Sequence, residues 1–172
     1  ILVILIPPRP RLRARPPGQT AGDGPSRMSS EFSYVLSPDG LAIESQGRCA
    51  PALLPRASSV VAVLADADVS WHRVTLPKAP AGRMRAALAG LLEEQLLEDT
   101  DDLHFAVQPK AAPGSLAWVA VAHRQWLRAE LAVLARARIF VDRVVPGVWP
   151  DDPPSGFFSH SGDRDDEASG SD

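Results

Sequence analysis

The stretch from Leu91 to Val107 (LLEEQLLEDTDDLHFAV) constrains this chain more than any other. Its apolar residues first recur at helical spacing and then alternate. An amphipathic helix must therefore end, turn through an acidic corner and give way to a strand. Such a junction belongs to a packed α/β domain. The segment holds no nucleophile–base pair, no metal-ligand spacing and no phosphate loop.

The remainder falls into recognisable pieces around that junction. Ile1 to Ile6 is an unbroken aliphatic run, which predicts a strand covered on both faces. Residues 9–31 are rich in proline, arginine, glycine and serine and predict a flexible insertion. Phe32–Leu36 and Leu41–Glu44 flank Ser37-Pro38-Asp39-Gly40, a hairpin signal. Ala50–Arg56 suggests a short helical turn. Val60–Leu64 and Val69–Leu76 read as a strand pair joined across Asp66-Ala67-Asp68. Pro80–Leu97 predicts a helix with Met84, Leu88 and Leu91 in one stripe, beside Ala87 and Leu92, and with Gln95 inside it. Leu103–Gln108 and Leu116–Ala122 predict strands. Arg124–Ala137 predicts a second helix on Leu127, Leu131 and Leu134, and Ile139–Val145 a last strand. Residues 151–172 are acidic and rich in glycine and serine, which predicts a disordered tail with Phe157-Phe158 as its only apolar feature.

That order implies an α/β fold with a mixed sheet and flanking helices, actin-like or ribonuclease H-like, carrying a disordered linker and tail. The expected layout is a first strand at 1–8, the insertion at 9–31, the remainder of the domain at 32–150 and the tail at 151–172. The formal net charge of −3 favours neither nucleic acid nor an anionic membrane surface as a partner. The single cysteine, Cys49, cannot form an internal disulfide, which fits a reducing compartment. No apolar run approaches the ~20 residues needed to span a bilayer. The chain as given is expected to be soluble, and its start at Ile1 suggests a fragment or a truncated product.

Several landmarks, taken together and in order, carry a resemblance. They are the opening strand Leu2-Val3-Ile4-Leu5-Ile6-Pro7-Pro8, then Leu53-Leu54-Pro55-Arg56, then Val74-Thr75-Leu76-Pro77. The junction from Glu93 to Ala106 follows. After it come Val119-Ala120-Val121-Ala122-His123-Arg124, similar to a "VAVVDR" strand, a tryptophan-bearing helix, and Val144-Val145-Pro146. The whole resembles the cytoplasmic domain of the type II secretion system protein L family over Ile1–Pro8 and Phe32–Pro150. The resemblance implies an actin-like domain at the cytoplasmic face of a Gram-negative inner membrane. It implies a scaffold that docks the N-terminal region of the secretion ATPase (protein E). It also implies contact with protein M through a membrane span and periplasmic part not seen here, and leaves open pairing of two copies. Two departures stand out. The helix before the last strand ends Ala137-Arg138 where the family usually has Ala-Gly, and the tail after Asp151 has no counterpart.

Chemistry was sought among the remaining residues. Phosphate binding near the first strand needs backbone donors and glycine, yet Pro7-Pro8-Arg9-Pro10 follows it. His72, His104, His123 and His160 lack zinc spacing, and Cys49 beside Arg48 reads as a spectator thiol. No catalytic, cofactor or metal residue is expected. Arg83 and Arg85 open the first helix and Glu93, Glu94 and Glu98 close it, against the helix macrodipole. That inversion marks Arg83, Arg85, Glu93, Glu94, Glu98, Asp99, Asp101, Asp102 and the helix-edge Trp126 as candidate partner-binding residues. A solvated face explains the same charges. A non-catalytic adaptor is the preferred reading. An actin-like nucleotide-dependent ATPase or switch and a type IV pilus actin-like assembly adaptor are the alternatives.

Overall fold

The structure is a computed structural model describing residues 1–10 and 31–150. Most of the expected insertion and the whole expected tail lie outside those residues.

Among the described residues eight strands form two sheets, with two α-helices packed on them. The larger has the order β3-β2-β1-β4-β8 and the smaller the order β5-β7-β6. β1 (Leu2–Leu5) sits at the centre of the large sheet, antiparallel to β2 (Phe32–Leu36) and parallel to β4 (Val60–Leu64). β8 (Arg143–Pro146) adds parallel to β4, and β3 (Ser45–Cys49) adds antiparallel to β2. β5 (Val69–Thr75), β7 (Leu116–His123) and β6 (Leu103–Val107) make an antiparallel sheet inserted between β4 and β8. The result is the expected actin-like α/β arrangement, in two sheets where one was expected.

Several boundaries differ from the expectations, each for a local reason. Leu41–Glu44 is not a strand. The Ser37 hydroxyl accepts from Gly40 N–H, and Asp39 Oδ1 accepts from Leu41 and Ala42 N–H. The Asp39 carboxyl is held below its usual range by the Ala42 and then the Leu41 N–H. With Gly40 at φ +84°, the chain turns until Glu44 N–H reaches Leu36 O, and pairing starts at Ser45. Leu41 and Ile43, which made the run look like a strand, are exposed. Val60–Leu64 and Val69–Leu76 are strands but not partners, because a 3-10 turn at Asp66–Asp68 sends them into different sheets. Ile139 is buried while β8 begins only at Arg143. β1 is covered on one face, not two: Leu2 and Ile4 are fully buried and Leu5 is 47% exposed.

Two hydrophobic clusters correspond to the two sheets. α2 (Arg124–Arg136) lays Leu127 and Leu134 on Leu2, Ile4, Phe32, Val60, Ala62 and Leu64 of the large sheet. α1 (Ala81–Leu92) lays Leu88 and Leu92 on Val74, Ala117, Val119 and Val121 of the small sheet, with Met84 and Leu96 packed alongside. Each fully buried leucine contributes about 2–3 kcal/mol. The α1 stripe is thus Met84–Leu88–Leu92, with i,i+4 spacing. Leu91 and Gln95 point to solvent, and the helix stops at Leu92 in a 3-10 turn over Glu93–Gln95. Trp71 and Trp118 are half-buried on the other face of the small sheet, edge-on at 6.4 Å, and Trp149 meets Trp71 at 4.9 Å.

Leu53-Leu54-Pro55-Arg56 acquires a physical meaning here. Leu54 is buried in the large-sheet cluster, and the Arg56 guanidinium donates to the carbonyls of Ala137 and Arg138 at the C-terminus of α2. Those carbonyls have no helical partner, and a cation there also suits the dipole. Arg138 itself sits at φ +61°, the left-handed position that glycine occupies without a Cβ clash. Arg138→Gly should therefore raise stability by roughly 0.5–1 kcal/mol, net of the freedom glycine gains in the unfolded chain. A urea midpoint that moves upward without a change in slope would show it.

Candidate functional site

The junction that dominates the sequence is a clamped corner. After the 3-10 turn at Glu93–Gln95, the chain bends and forms a second 3-10 turn at Thr100–Asp102 before entering β6. Asp99 caps that turn, its Oδ1 accepting from Asp101 N–H at 2.8 Å. Arg85, reaching from α1, donates to Thr100 O at 2.9 Å and Leu103 O at 3.4 Å and lies 3.7 Å from Asp101 Oδ1. Arg124, at the start of α2, donates to Asp101 O, and Gln125 Nε2 donates to Asp102 Oδ1 at 2.7 Å. Two helices thus grip one turn through its backbone.

Glu98 has a different role. It takes a two-pronged ion pair from Arg9 at 2.7 and 3.0 Å, while Arg9 N–H donates to Asp68 Oδ2 at 3.0 Å. Arg9 therefore ties the chain beyond β1 to the corner across a cleft of about 580 Å³, walled by Asp68, His72, Leu96, Glu98 and His123 among others.

Of the nine residues proposed from sequence, Arg85, Glu98, Asp99, Asp101 and Asp102 are brought together. Glu93 and Glu94 stand exposed beside them on the first 3-10 turn. Arg83 is exposed on α1 and makes no ion pair among the described residues. Trp126 belongs to the core side of α2, half-buried against the large-sheet cluster, with its indole N–H buried and unpartnered. The charge inversion along α1 is partly resolved: Arg85 serves the corner carbonyls, and the glutamates lie beyond the α-helix proper.

Sequence reasoning missed Arg9, His123, Arg124 and Gln125. His123 caps α2, its Nδ1 accepting from Trp126 N–H at 3.1 Å. The neutral ring then carries its proton on Nε2, 3.8 Å from Glu98 Oε2. The position gave a signal: in "VAVVDR" an aspartate, a strong cap, stands directly before the helix. Nothing in the proline–arginine run singles out Arg9.

Among the described residues no three histidine, cysteine or acidic side chains could hold a metal ion. Burial, and then Glu31, push the Cys49 thiol up, away from reactivity, and Arg48 pairs with Glu31 at 3.2 Å and not with the thiol. His104 is held below its usual value by desolvation and by Arg124, Arg128 and Arg85. β1 runs into Pro7-Pro8, which offer no N–H to a phosphate.

A model of the family described as type II secretion system (T2SS), protein L matches residues 40–150. The type II secretion system protein L of Dickeya chrysanthemi is 38% identical over 81 residues, covering 47% of this chain and 20% of that protein. Its counterpart in Vibrio cholerae serotype O1 is 36% identical over 90 residues, covering 52% and 22%. The chain thus spans about a fifth of the length of these curated relatives. Among solved structures, the cytoplasmic domain of EpsL, described as an inner membrane component of the type II secretion system of Vibrio cholerae, superposes with a TM-score of 0.58 at 24% identity. That match covers 84% of this chain and 56% of that one, and it bears on the fold alone.

Two measurements test the local physics. His123→Ala removes the α2 cap and should cost about 1 kcal/mol in urea unfolding. Glu130, on the inner face of α2, is 6% exposed with Oε2 unpartnered, and burial pushes its carboxyl above the ordinary value. A raised folded pKa stabilises the fold below the unfolded value of ~4.5, and that contribution is lost as pH rises through the folded one. Glu130→Gln should therefore be more stable than the parent at pH 7, the difference closing as pH falls toward 4.

Proposed function

The chain belongs to the type II secretion system protein L family, and from that premise we propose that it is a non-catalytic adaptor of the inner-membrane platform, docking the N-terminal region of the secretion ATPase (protein E) at the acidic corner. Family membership supports a role in protein secretion. The clamped corner is the observation that carries the finer reading. A turn held through its backbone by Arg85 and Arg124 loses little freedom on binding, so more of the contact energy remains for affinity. Glu93 and Glu94 offer charge from that fixed platform, and among the described residues their carboxylates bind no partner. Charge of this kind steers an oppositely charged partner and fixes its register.

Coupling to the membrane belongs to the same proposal. Among the described residues no helix is long and apolar enough to cross a membrane. Attachment at the cytoplasmic face of the inner membrane would run through other parts of the protein and through protein M. The nucleotide-switch reading gains no support from the donor-free Pro7-Pro8 segment. Injecting magnesium–ATP into the protein in a calorimeter should give no binding heat.

The docking test must spare the fold. Asp99, Asp102 and Glu98 hold the corner together, so reversing them would confuse binding with unfolding. Glu93→Lys with Glu94→Lys avoids that. At low salt the pair should weaken binding of the ATPase N-terminal region about tenfold, ~1.4 kcal/mol, with the melting temperature unchanged. An unaltered dissociation constant would remove the corner from the interface.

A further inference from the structure

Nothing in the fold requires Leu97 where it stands. It lies in the bend between the two 3-10 turns of the corner and is fully exposed. It joins neither hydrophobic cluster. Single exposed apolar side chains are common on protein surfaces and need no explanation. Leu97 differs in how it is held. Leu96, just before it, packs against the small-sheet cluster. Its backbone is extended, at φ −102° and ψ 140°, so successive side chains leave on opposite sides. Turning Leu96 inward therefore turns Leu97 outward. Glu98, just after it, is fastened by the Arg9 guanidinium at 2.7 Å. The leucine is thus presented from a backbone fixed on both sides.

Its surroundings define what fits. Leu91, on the last turn of α1, is also exposed. Glu93 and Glu94 lie between it and Leu97 along the chain, both exposed, and among the described residues their carboxylates bind no partner. Interfaces place apolar side chains at the centre and polar or charged ones at the rim. A leucine bordered by two such carboxylates matches an apolar recess edged with lysine or arginine. The same glutamates repel an anionic partner such as nucleic acid. A leucine on a fixed backbone also has little freedom left to lose on burial, so most of the contact energy survives as affinity.

Taking the acidic corner as the docking surface of the secretion ATPase, the reading on which this rests, we propose that Leu97 is the apolar anchor of that contact. It enters an apolar recess on the ATPase N-terminal region, and basic side chains around the recess meet Glu93 and Glu94.

Titrating the full chain with the ATPase N-terminal region, at low and at high salt, separates the two contributions. Burying one leucine changes affinity on the order of tenfold or more. Leu97→Ser should therefore weaken binding about tenfold at both salt concentrations, with the melting temperature unchanged. Glu93→Lys with Glu94→Lys should weaken it at low salt and much less at high salt. Leu41→Ser, likewise exposed but in the turn after β2, should bind as the parent does. If Leu97→Ser binds like the parent while the glutamate pair weakens binding, the anchor is overturned and docking at the corner stands. If the glutamate pair leaves affinity unchanged, or the parent does not bind, docking at the corner falls and the anchor with it. A melting temperature lowered by Leu97→Ser would also overturn the anchor, since the side chain would then serve the fold. So would sedimentation showing a dimer that Leu97→Ser dissociates, because a second copy then covers the leucine.

Discussion

β4 and β8 are neighbours and run parallel, and that fact governs the rest of the molecule. Antiparallel strands can be joined by a tight turn, but parallel ones require the chain to cross back over the sheet. Here the crossing is filled with a sheet of its own. β5, α1, β6 and β7 are built within the excursion, and α2 makes the return leg over the large sheet. Two hydrophobic clusters follow, each with its own helix. The acidic corner lies where the excursion turns from α1 into β6, within reach of the first residues of α2. Its position is a consequence of topology, since the chain must pass there before it can come home.

The corner shows how acidic residues can be concentrated without mutual repulsion undoing the turn. Asp99 and Asp102 accept hydrogen bonds from a backbone N–H and an amide. The arginines act mainly on carbonyl oxygens and so fix the path of the backbone, while Arg85 also pairs with Asp101 at 3.7 Å. Glu98 is in a close ion pair, and its partner comes from the far side of the cleft. A braced turn and an acidic edge therefore arise from the same few side chains.

Much of this was legible in the sequence. Helical and alternating spacings located α1, α2, β2, β4, β6 and β7, because those elements bury one regular stripe. The left-handed residue at Arg138 was visible from the missing glycine. The hidden parts were those fixed by contacts distant along the chain. Leu41 and Ile43 look like strand residues until Ser37 and Asp39 wrap the turn. Val69–Thr75 looks like the partner of Val60–Leu64 until β7 claims it. Arg9 lies in a run whose composition says only linker, and its meaning depends on Glu98, 89 positions away. Trp126, at the edge of the α2 stripe, rests half-buried against the large-sheet cluster, which spacing alone did not decide.

The Arg9–Glu98 pair also has a mechanical meaning. It spans the cleft beside the small sheet, and its side chains retain 33% and 45% exposure. A contact so open to solvent is weakened by dissolved ions over the ~10 Å screening distance of ordinary buffers. Dissolved salt then sets how firmly the chain just past the central strand is strapped to the turn that precedes β6.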